Sequence, residues 1–326
     1  MPFGTVTLND GTEMPTIAFG TGTALFRRDV TQFVQQAIDA GFSHIDTAQM
    51  YLTEETVGKA IQESGLPRSD LYVTSKYASG EIQSSVRESL DKLKLNYLDL
   101  YLIHFPHFVP DLEAGWKEFE KIKDAGLAKS VGVSNFNLAQ LQTLVKSARI
   151  LPAVNQISFN PYNYAQSKDL LAYSAKHGIV TEAYSSLACV RYFQRIRTLN
   201  GLRSPITKTP GGPVDAPVAA AAKRLGITPT QVILLWVKSK GVVIVTTTSN
   251  KSRLEEYLAV GDLPPLTEEE IAAIDEAGAK GPPSALVKRG KTAFKSRASV
   301  AGLAITLLFL VYLTRLMACY QVKAAL

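Results

Sequence analysis

Apolar residues recur along the chain in two alternating rhythms. Short β-rich runs predict strands at 16–20, 44–47, 71–76, 98–104, 130–133, 153–156, 180–184 and 242–246. Between them, segments 28–40, 54–64, 82–93, 113–124, 138–148 and 167–176 repeat apolar residues at the spacing of one buried helix face. Gly41, Gly126 and Gly178 each stand between such a helix and the next strand, where a helix-ending glycine belongs. Strict alternation implies parallel strands joined by right-handed crossovers, and eight units favour a closed (β/α)8 TIM barrel over an open sheet. Ahead of the first unit, Thr5–Leu8 and the turn Asn9-Asp10-Gly11 predict a β-hairpin able to plug the bottom of the barrel.

The 326 residues suit one such barrel, which takes about 250 before decorations. The apolar fraction of 46% and charged fraction of 20% fit a globular chain with a large core. No G-x-G-x-x-G turn follows a strand, which argues against a Rossmann domain; the glycine-rich turn Phe19-Gly-Thr-Gly-Thr23 lacks that spacing. Cys189 and Cys319 lie far apart and show no metal-ligand spacing, so neither a disulfide framework nor a metal site is expected, and a reducing compartment is. Met1–Asp10 has neither a basic start nor an apolar run, so no signal peptide is expected.

The net charge of +6 is unevenly placed. From Ala277 onward there are eight Lys and Arg and no acid; subtracting that tail leaves the body at −2. A mildly acidic body argues against nucleic-acid binding.

In a barrel of this kind the chemistry belongs at the C-terminal ends of the strands. The second predicted strand delivers Asp46, with Tyr51 just beyond; the third delivers Lys76 and the fourth His104. A free tyrosine titrates near ~10 and is a poor acid at neutral pH, but a neighbouring ammonium favours its phenolate. Lys76 can supply that charge, Asp46 can keep it charged and oriented, and His104 can hydrogen-bond a substrate oxygen. A carbonyl bound there meets a proton donor, and a hydride arriving at its carbon makes an alcohol. Alone, Asp46 reads equally as a helix cap, Lys76 as a solvated charge, His104 as a core residue and Tyr51 as packing. Four together at one rim make that joint reading improbable.

The segment Phe42-Ser-His-Ile-Asp-Thr-Ala-Gln-Met-Tyr51, with Glu54-Glu55 and Val57-Gly-Lys-Ala-Ile61 after it, resembles the first signature of the aldo-keto reductases. Leu100-Tyr-Leu-Ile-His-Phe-Pro106 and Val131-Gly-Val-Ser-Asn-Phe136 resemble two more, and the likeness runs from about Thr5 to Gly278 with one interruption. The resemblance implies that Asp46, Tyr51, Lys76 and His104 are the catalytic tetrad of an NADPH-dependent enzyme acting on a small-molecule carbonyl. It also implies that Ser134, Asn135 and Gln156 hold the nicotinamide carboxamide, that Tyr184 stacks on the ring, and that Gly22 and Thr23 lie near the cofactor. The usual Lys-Ser phosphate clamp is replaced by Thr247 and Thr248, while Arg253 and Glu256 are retained and Tyr257 stands for the usual Asn. Thr hydroxyls, a helix start and Arg253 can still meet a 2′-phosphate, with Lys251 as a further charge. This threonine-rich form resembles fungal reductases of α-keto amides and conjugated polyketones. Leu25, Phe26, Tyr77, Phe105 and His107 are expected to surround the substrate.

Two segments depart from that family. Residues 189–204 interrupt the loop after the seventh predicted strand, with Arg191, Arg195, Arg197 and Arg203. They read as a basic phosphate lid, as a neutral insertion or as retained intron sequence, the last being preferred; disruption of the lid would make a nonfunctional product. After the barrel, 1–280, a basic linker at 281–297 leads to an apolar stretch at 298–320. Its uncharged core of 17 residues, 298–314, is at the short limit for a bilayer span of about 17–25. Basic residues before it predict a cytosol-facing body tethered by a C-terminal hydrophobic helix, with the endoplasmic reticulum as the membrane; the alternative is an amphipathic helix packed on the barrel of a cytoplasmic protein. The oligomeric state is not legible, a monomer being favoured. The rival to the enzyme is a nucleotide-binding regulatory subunit of a membrane complex, which an intact tetrad disfavours.

Overall fold

The computed structural model describes residues 3–187 and 212–282. The segment 189–204 and the C-terminal hydrophobic helix expected at 298–320 lie outside the described residues. Among the described residues, no helix is long and apolar enough to cross a membrane.

Eight parallel strands close into a barrel: β3 (Ile17–Gly20), β4 (His44–Asp46), β5 (Tyr72–Tyr77), β6 (Leu98–Ile103), β7 (Ala128–Ser134), β8 (Val154–Ser158), β9 (Val180–Tyr184) and β10 (Val243–Thr246), which returns to pair with β3. Around them run α1 (Thr31–Ala40), α2 (Glu54–Glu63), α3 (Ile82–Leu93), α4 (Leu112–Asp124), α5 (Leu138–Ser147) and α6 (Tyr164–Lys176). Later in the chain come α7 (Asp215–Leu225), α8 (Pro229–Ser239), α9 (Lys251–Ala259) and α10 (Glu268–Ala279). The eight expected strands and six expected helices are all present, with shifted ends. Helix α1 starts three residues late because the Asp29 carboxylate accepts the Thr31 N–H at 2.9 Å. Helix α8 was not legible from period, because Gln231–Val237 is buried at every position and its apolar run has no polar face.

Alternation along each strand sorts the barrel into two apolar layers. Outward residues such as Ile45, Val73, Tyr101, Val131 and Ile244 pack under the helices in the main core. Inward residues of the lower half, Leu100, Leu102, Val154 and Val243, form a separate cluster with Leu8 and Met14 of the N-terminal hairpin. That hairpin pairs β1 (Thr5–Thr7) with β2 (Glu13–Pro15) antiparallel. Asn9 donates to the Pro152 carbonyl at 3.0 Å, and Asp10 accepts from Lys123 and Ser130 at 2.6 and 2.8 Å. These partners stand at or ahead of strand starts, so the hairpin closes the N-terminal end and leaves the opposite rim for chemistry.

Close packing explains the glycine within the first signature. A Cβ on Gly58 would lie 2.5 Å from the Leu93 carbonyl oxygen, so α2 and α3 approach only because it is absent.

Candidate functional site

The upper half of the barrel interior is polar. Inward positions of β4, β5, β8 and β9 carry Asp46, Lys76, Gln156 and Glu182, each at most 2% exposed. Lys76 Nζ donates to Asp46 Oδ1 and Oδ2 at 2.6 and 2.7 Å, to the Thr47 carbonyl at 2.9 Å and to the Tyr51 hydroxyl at 3.5 Å. Burial alone would lower the Lys76 ammonium; the Asp46 carboxylate, with Tyr51 and Glu182 beyond it, more than reverses this and raises it. Lys76 therefore stays charged at neutral pH.

Tyr51 closes a 3-10 turn, Gln49–Tyr51, that the loop holds in place. Gln49 Oε1 accepts from the Ala78 and Ser79 amides at 2.8 and 3.1 Å. The hydroxyls of Thr21, Thr47 and Thr53 lie 3.0 Å from one another, tying both ends of the turn to the loop after β3. Gly22 lets the phenol sit where it does, since a Cβ there would be 2.9 Å from the ring.

His104 follows β6 directly, with its ring edge-on to Tyr51 at 5.3 Å and stacked on Phe105 at 4.8 Å. Burial, helped by the Lys76 charge, pulls its imidazole down to about 3. It is therefore a neutral group that offers one N–H to a ligand. The four residues of the predicted tetrad are thus brought together at one rim.

Beside them, Ser134 donates to the Gln156 backbone carbonyl at 2.8 Å, Asn135 Nδ2 donates to the His104 carbonyl and Ser134 Oγ at 2.9 and 3.0 Å, and Tyr184 donates to Asn135 Oδ1 at 2.7 Å. Among the described residues, six other than glycine have positive φ, and five of them, Thr23, Arg27, Leu52, Asn135 and Ser185, stand in loops at this end of the barrel. Such backbone costs about 1–3 kcal/mol per residue and is found where function constrains the chain.

A dinucleotide phosphate would meet a fitting surface after β10. Thr247 Oγ1 and, after β9, Ser186 Oγ are buried without a hydrogen-bond partner. Thr248 Oγ1 accepts the Asn250 N–H at 3.1 Å, and Asn250 caps the start of α9, whose first turn carries Lys251 and Arg253. Unused hydroxyls, a helix N-terminus and cationic side chains are the donors an anion needs. Glu256 is placed differently: its carboxylate accepts from Thr228 at 2.5 Å, at the start of α8. Among the described residues, no group of three His, Cys, Asp or Glu could hold a metal.

The expected substrate residues divide. Phe26 stands edge-on to Tyr51 at 6.3 Å, and Phe105 walls the far side with His107, which is exposed. Tyr77 is a correction. It follows the inward Lys76, so it points outward, packs on Phe119 at 6.2 Å and donates to the Gly80 carbonyl at 2.7 Å. Leu25 is likewise corrected to the main core, at 0% exposure. Phe108, 6.4 Å from His104, was missed.

Also missed were His44 and Glu182, each two residues before a recognised one on its strand. That period-two spacing into the barrel was the available signal. Burial pulls His44 down to about 4 against the pull of Asp46, and burial followed by the Asp46 charge pushes Glu182 up to about 7.

These shifts set a pH dependence. Between pH 6.5 and 4.5 the unfolded chain protonates His44 and His104, while the folded chain keeps them neutral, so stability falls with pH. Glu182 opposes this: folded, it keeps its proton up to about 7, and unfolded it releases it from 4.5 upward, so its contribution falls as pH rises. For these three groups, two protons against one leave a net loss of about 1.4 kcal/mol per pH unit on acidification through this window, an upper bound because the Glu54 carboxyl, also pushed up by burial, acts in the direction of Glu182. Urea unfolding at several pH values measures the slope; stability that is flat or rises toward acid would show that the histidines titrate normally.

The profile of the aldo/keto reductase family matches residues 1–279. An NAD/NADP-dependent indole-3-acetaldehyde reductase of Schizosaccharomyces pombe is 38% identical over 263 residues, 76% of this chain and 86% of that protein. The crystal structure of a Bombyx mori aldo-keto reductase in complex with NADP has a TM-score of 0.70 at 35% identity, covering 84% of this chain and 92% of its own. An aldo/keto reductase from Brucella melitensis has a TM-score of 0.70 at 32% identity, covering 84% of this chain and 98% of its own.

Proposed function

This chain belongs to the aldo/keto reductase family, and on that premise we propose that it is an NADPH-dependent oxidoreductase that reduces an aldehyde or ketone to an alcohol, with Tyr51 as general acid. The observation that carries this reading is the convergence of a buried, charged Lys76 on the Tyr51 hydroxyl beside a neutral His104. NADPH, when bound, supplies the hydride to the carbonyl carbon. Ser134, Asn135 and Gln156 would hold its carboxamide, Tyr184 would offer its ring to the nicotinamide, and Gly22 and Thr23 would line the approach. Thr247, Thr248 and Arg253 would take the 2′-phosphate. His104 donates a hydrogen bond to the substrate oxygen and orients it. Tyr51 gives its proton to that oxygen, and the Lys76 ammonium stabilises the phenolate left behind. Asp46 keeps Lys76 charged in a site that burial would otherwise neutralise.

Phe26 and Phe105 flank the two residues that meet the oxygen, which suits a flat, conjugated carbonyl; with the threonine-rich clamp this favours an α-dicarbonyl or α-keto amide. Loss of NADPH absorbance with a panel of α-keto amides, diketones and aldehydes tests the reading. Tight NADPH binding without turnover of any of them would favour a nucleotide-binding regulatory subunit instead.

The composition of 298–320 supports a second, separable proposal, that this stretch anchors the enzyme to a membrane. Deleting 298–326 should move the protein from the membrane fraction to the supernatant. An intact chain already in the supernatant after mild lysis would sink it.

A further inference from the structure

Glu182 has no part in that scheme, yet it is wholly buried beneath it. The side-chain nitrogen of Gln156 donates to Glu182 Oε2 at 2.9 Å and to Asp46 Oδ2 at 2.9 Å. A primary amide has two hydrogens, and both are now committed to carboxyl groups. The carbonyl Oε1 is what Gln156 has left to offer a ligand. With Asp46 as its one carboxylate neighbour, the amide would keep a second N–H to offer the site as a donor. With Glu182 as the second neighbour that N–H is taken as well, and Asp46 alone already bars the amide from turning its C=O toward a carboxylate oxygen.

We propose that Glu182 is a positioning residue for the cofactor, locking Gln156 so that it shows the site only a hydrogen-bond acceptor and thereby selects a ligand that presents an NH2 group. The inference rests on the reading that Gln156 meets the nicotinamide carboxamide, and it adds why that amide faces one way. A carboxamide satisfies such an acceptor, whereas a carboxylate in the same place is repelled by it.

The lock holds while Glu182 is ionised. A protonated carboxyl is a much weaker acceptor, so the N–H that Glu182 held becomes free to face the site as a donor, while Asp46 keeps the other. Around Glu182 stand Asp46 and His44 of β4, with His44 Nε2 at 4.0 Å from Oε1 and already engaged by Thr74 at 2.9 Å. Lys76 and Tyr72 of β5 complete the ionisable surroundings, and the β10 residues paired with this part of β9 are Val243 and Ile244. Glu182 Oε1 has no hydrogen-bond partner, so nothing fixes its charge on that side. His44 is already neutral above about 4, and Glu182 is the group pushed up to about 7.

The experiment measures dissociation constants of the full chain for NADPH by fluorescence from pH 6 to 8, and for NADP and its nicotinic-acid analogue at pH 8. Wild type should bind NADPH about tenfold more weakly at pH 6 than at pH 8, the span one group titrating near 7 can give, and should reject the acid analogue. Glu182→Gln, matched in shape and without charge, should lose most of both effects, and Glu182→Asp should restore the rejection in part. The 2′-phosphate also gains a proton near pH ~6, but it does so for every variant, so the difference between proteins is what reports Glu182. Thermal melts confirm that each variant is folded. Identical pH profiles and identical discrimination in wild type and Glu182→Gln overturn the proposal. If Gln156→Ala binds NADPH as tightly as wild type, the underlying reading fails and the proposal with it; if it binds weakly while Glu182→Gln behaves as wild type, the proposal alone fails.

Discussion

Tyr51→Phe should fold as the parent does, bind NADPH with unchanged affinity and lose about 10²- to 10⁴-fold in kcat, the range a positioned general acid contributes. The substitution deletes one oxygen and leaves the ring. The ring keeps its seat against Gly22, its edge contacts with Phe26 and His104, and the loop bonds made by Gln49 and the three threonine hydroxyls. Losing one hydrogen bond to a charged partner costs at most about 1.5–3 kcal/mol of stability, too little to unfold an otherwise intact barrel. What disappears is the one proton that the 3.5 Å approach to Lys76 makes available at the rim. Single-turnover rates with saturating NADPH separate chemistry from binding. If the variant keeps more than about a tenth of the parent's rate, the proton comes from elsewhere, and neutral His104 becomes the candidate donor.

Asp46→Asn is expected to have the largest effect on stability. It leaves the Lys76 ammonium at 0% exposure without its counter-charge, and breaking a buried pair in this way costs about 3–5 kcal/mol. The double variant Asp46→Leu with Lys76→Met removes both charges and should recover much of that loss while remaining inactive. The contrast matters because an apolar pair of similar volume often replaces a buried ion pair at little cost. Recovery of stability without activity would show that the pair is retained for the charge it holds beside Tyr51. Denaturant unfolding of Asp46→Leu, Lys76→Met and the double variant measures the coupling. A cost below about 1 kcal/mol for Asp46→Asn would mean that Lys76 sheds its proton when alone, and that the site does not depend on a fixed ammonium.

Much of this architecture is legible from local pattern. Each strand is a short apolar run because both of its faces are covered, and each outer helix shows one apolar face because only one is covered. The strand ends alone place Asp46, Lys76 and His104 at one rim, since parallel strands in a barrel all deliver their C-terminal residues to the same side. Period-two alternation also carries more than was drawn from it. Lys76 facing inward requires Tyr77 to face outward, and Tyr184 facing inward requires Glu182, two residues before it, to face inward too. Helix α8 shows the limit of pattern, because a segment buried on every side has no rhythm to read.

By itself, then, the sequence determined the barrel, its working rim and the four residues that converge there, because those follow from rules that act within a few residues. Only the tertiary structure decided which groups meet across the interior. Gln156 reaches Asp46 over 110 residues of chain and across the barrel, and Glu182 over 26 residues on the neighbouring strand. It also set Glu256 against Thr228 and Leu25 in the core. The physical reason is that closure and stagger between strands are set by the packing of the whole barrel; no local spacing records them, and a buried polar group takes whichever partner that packing brings within reach.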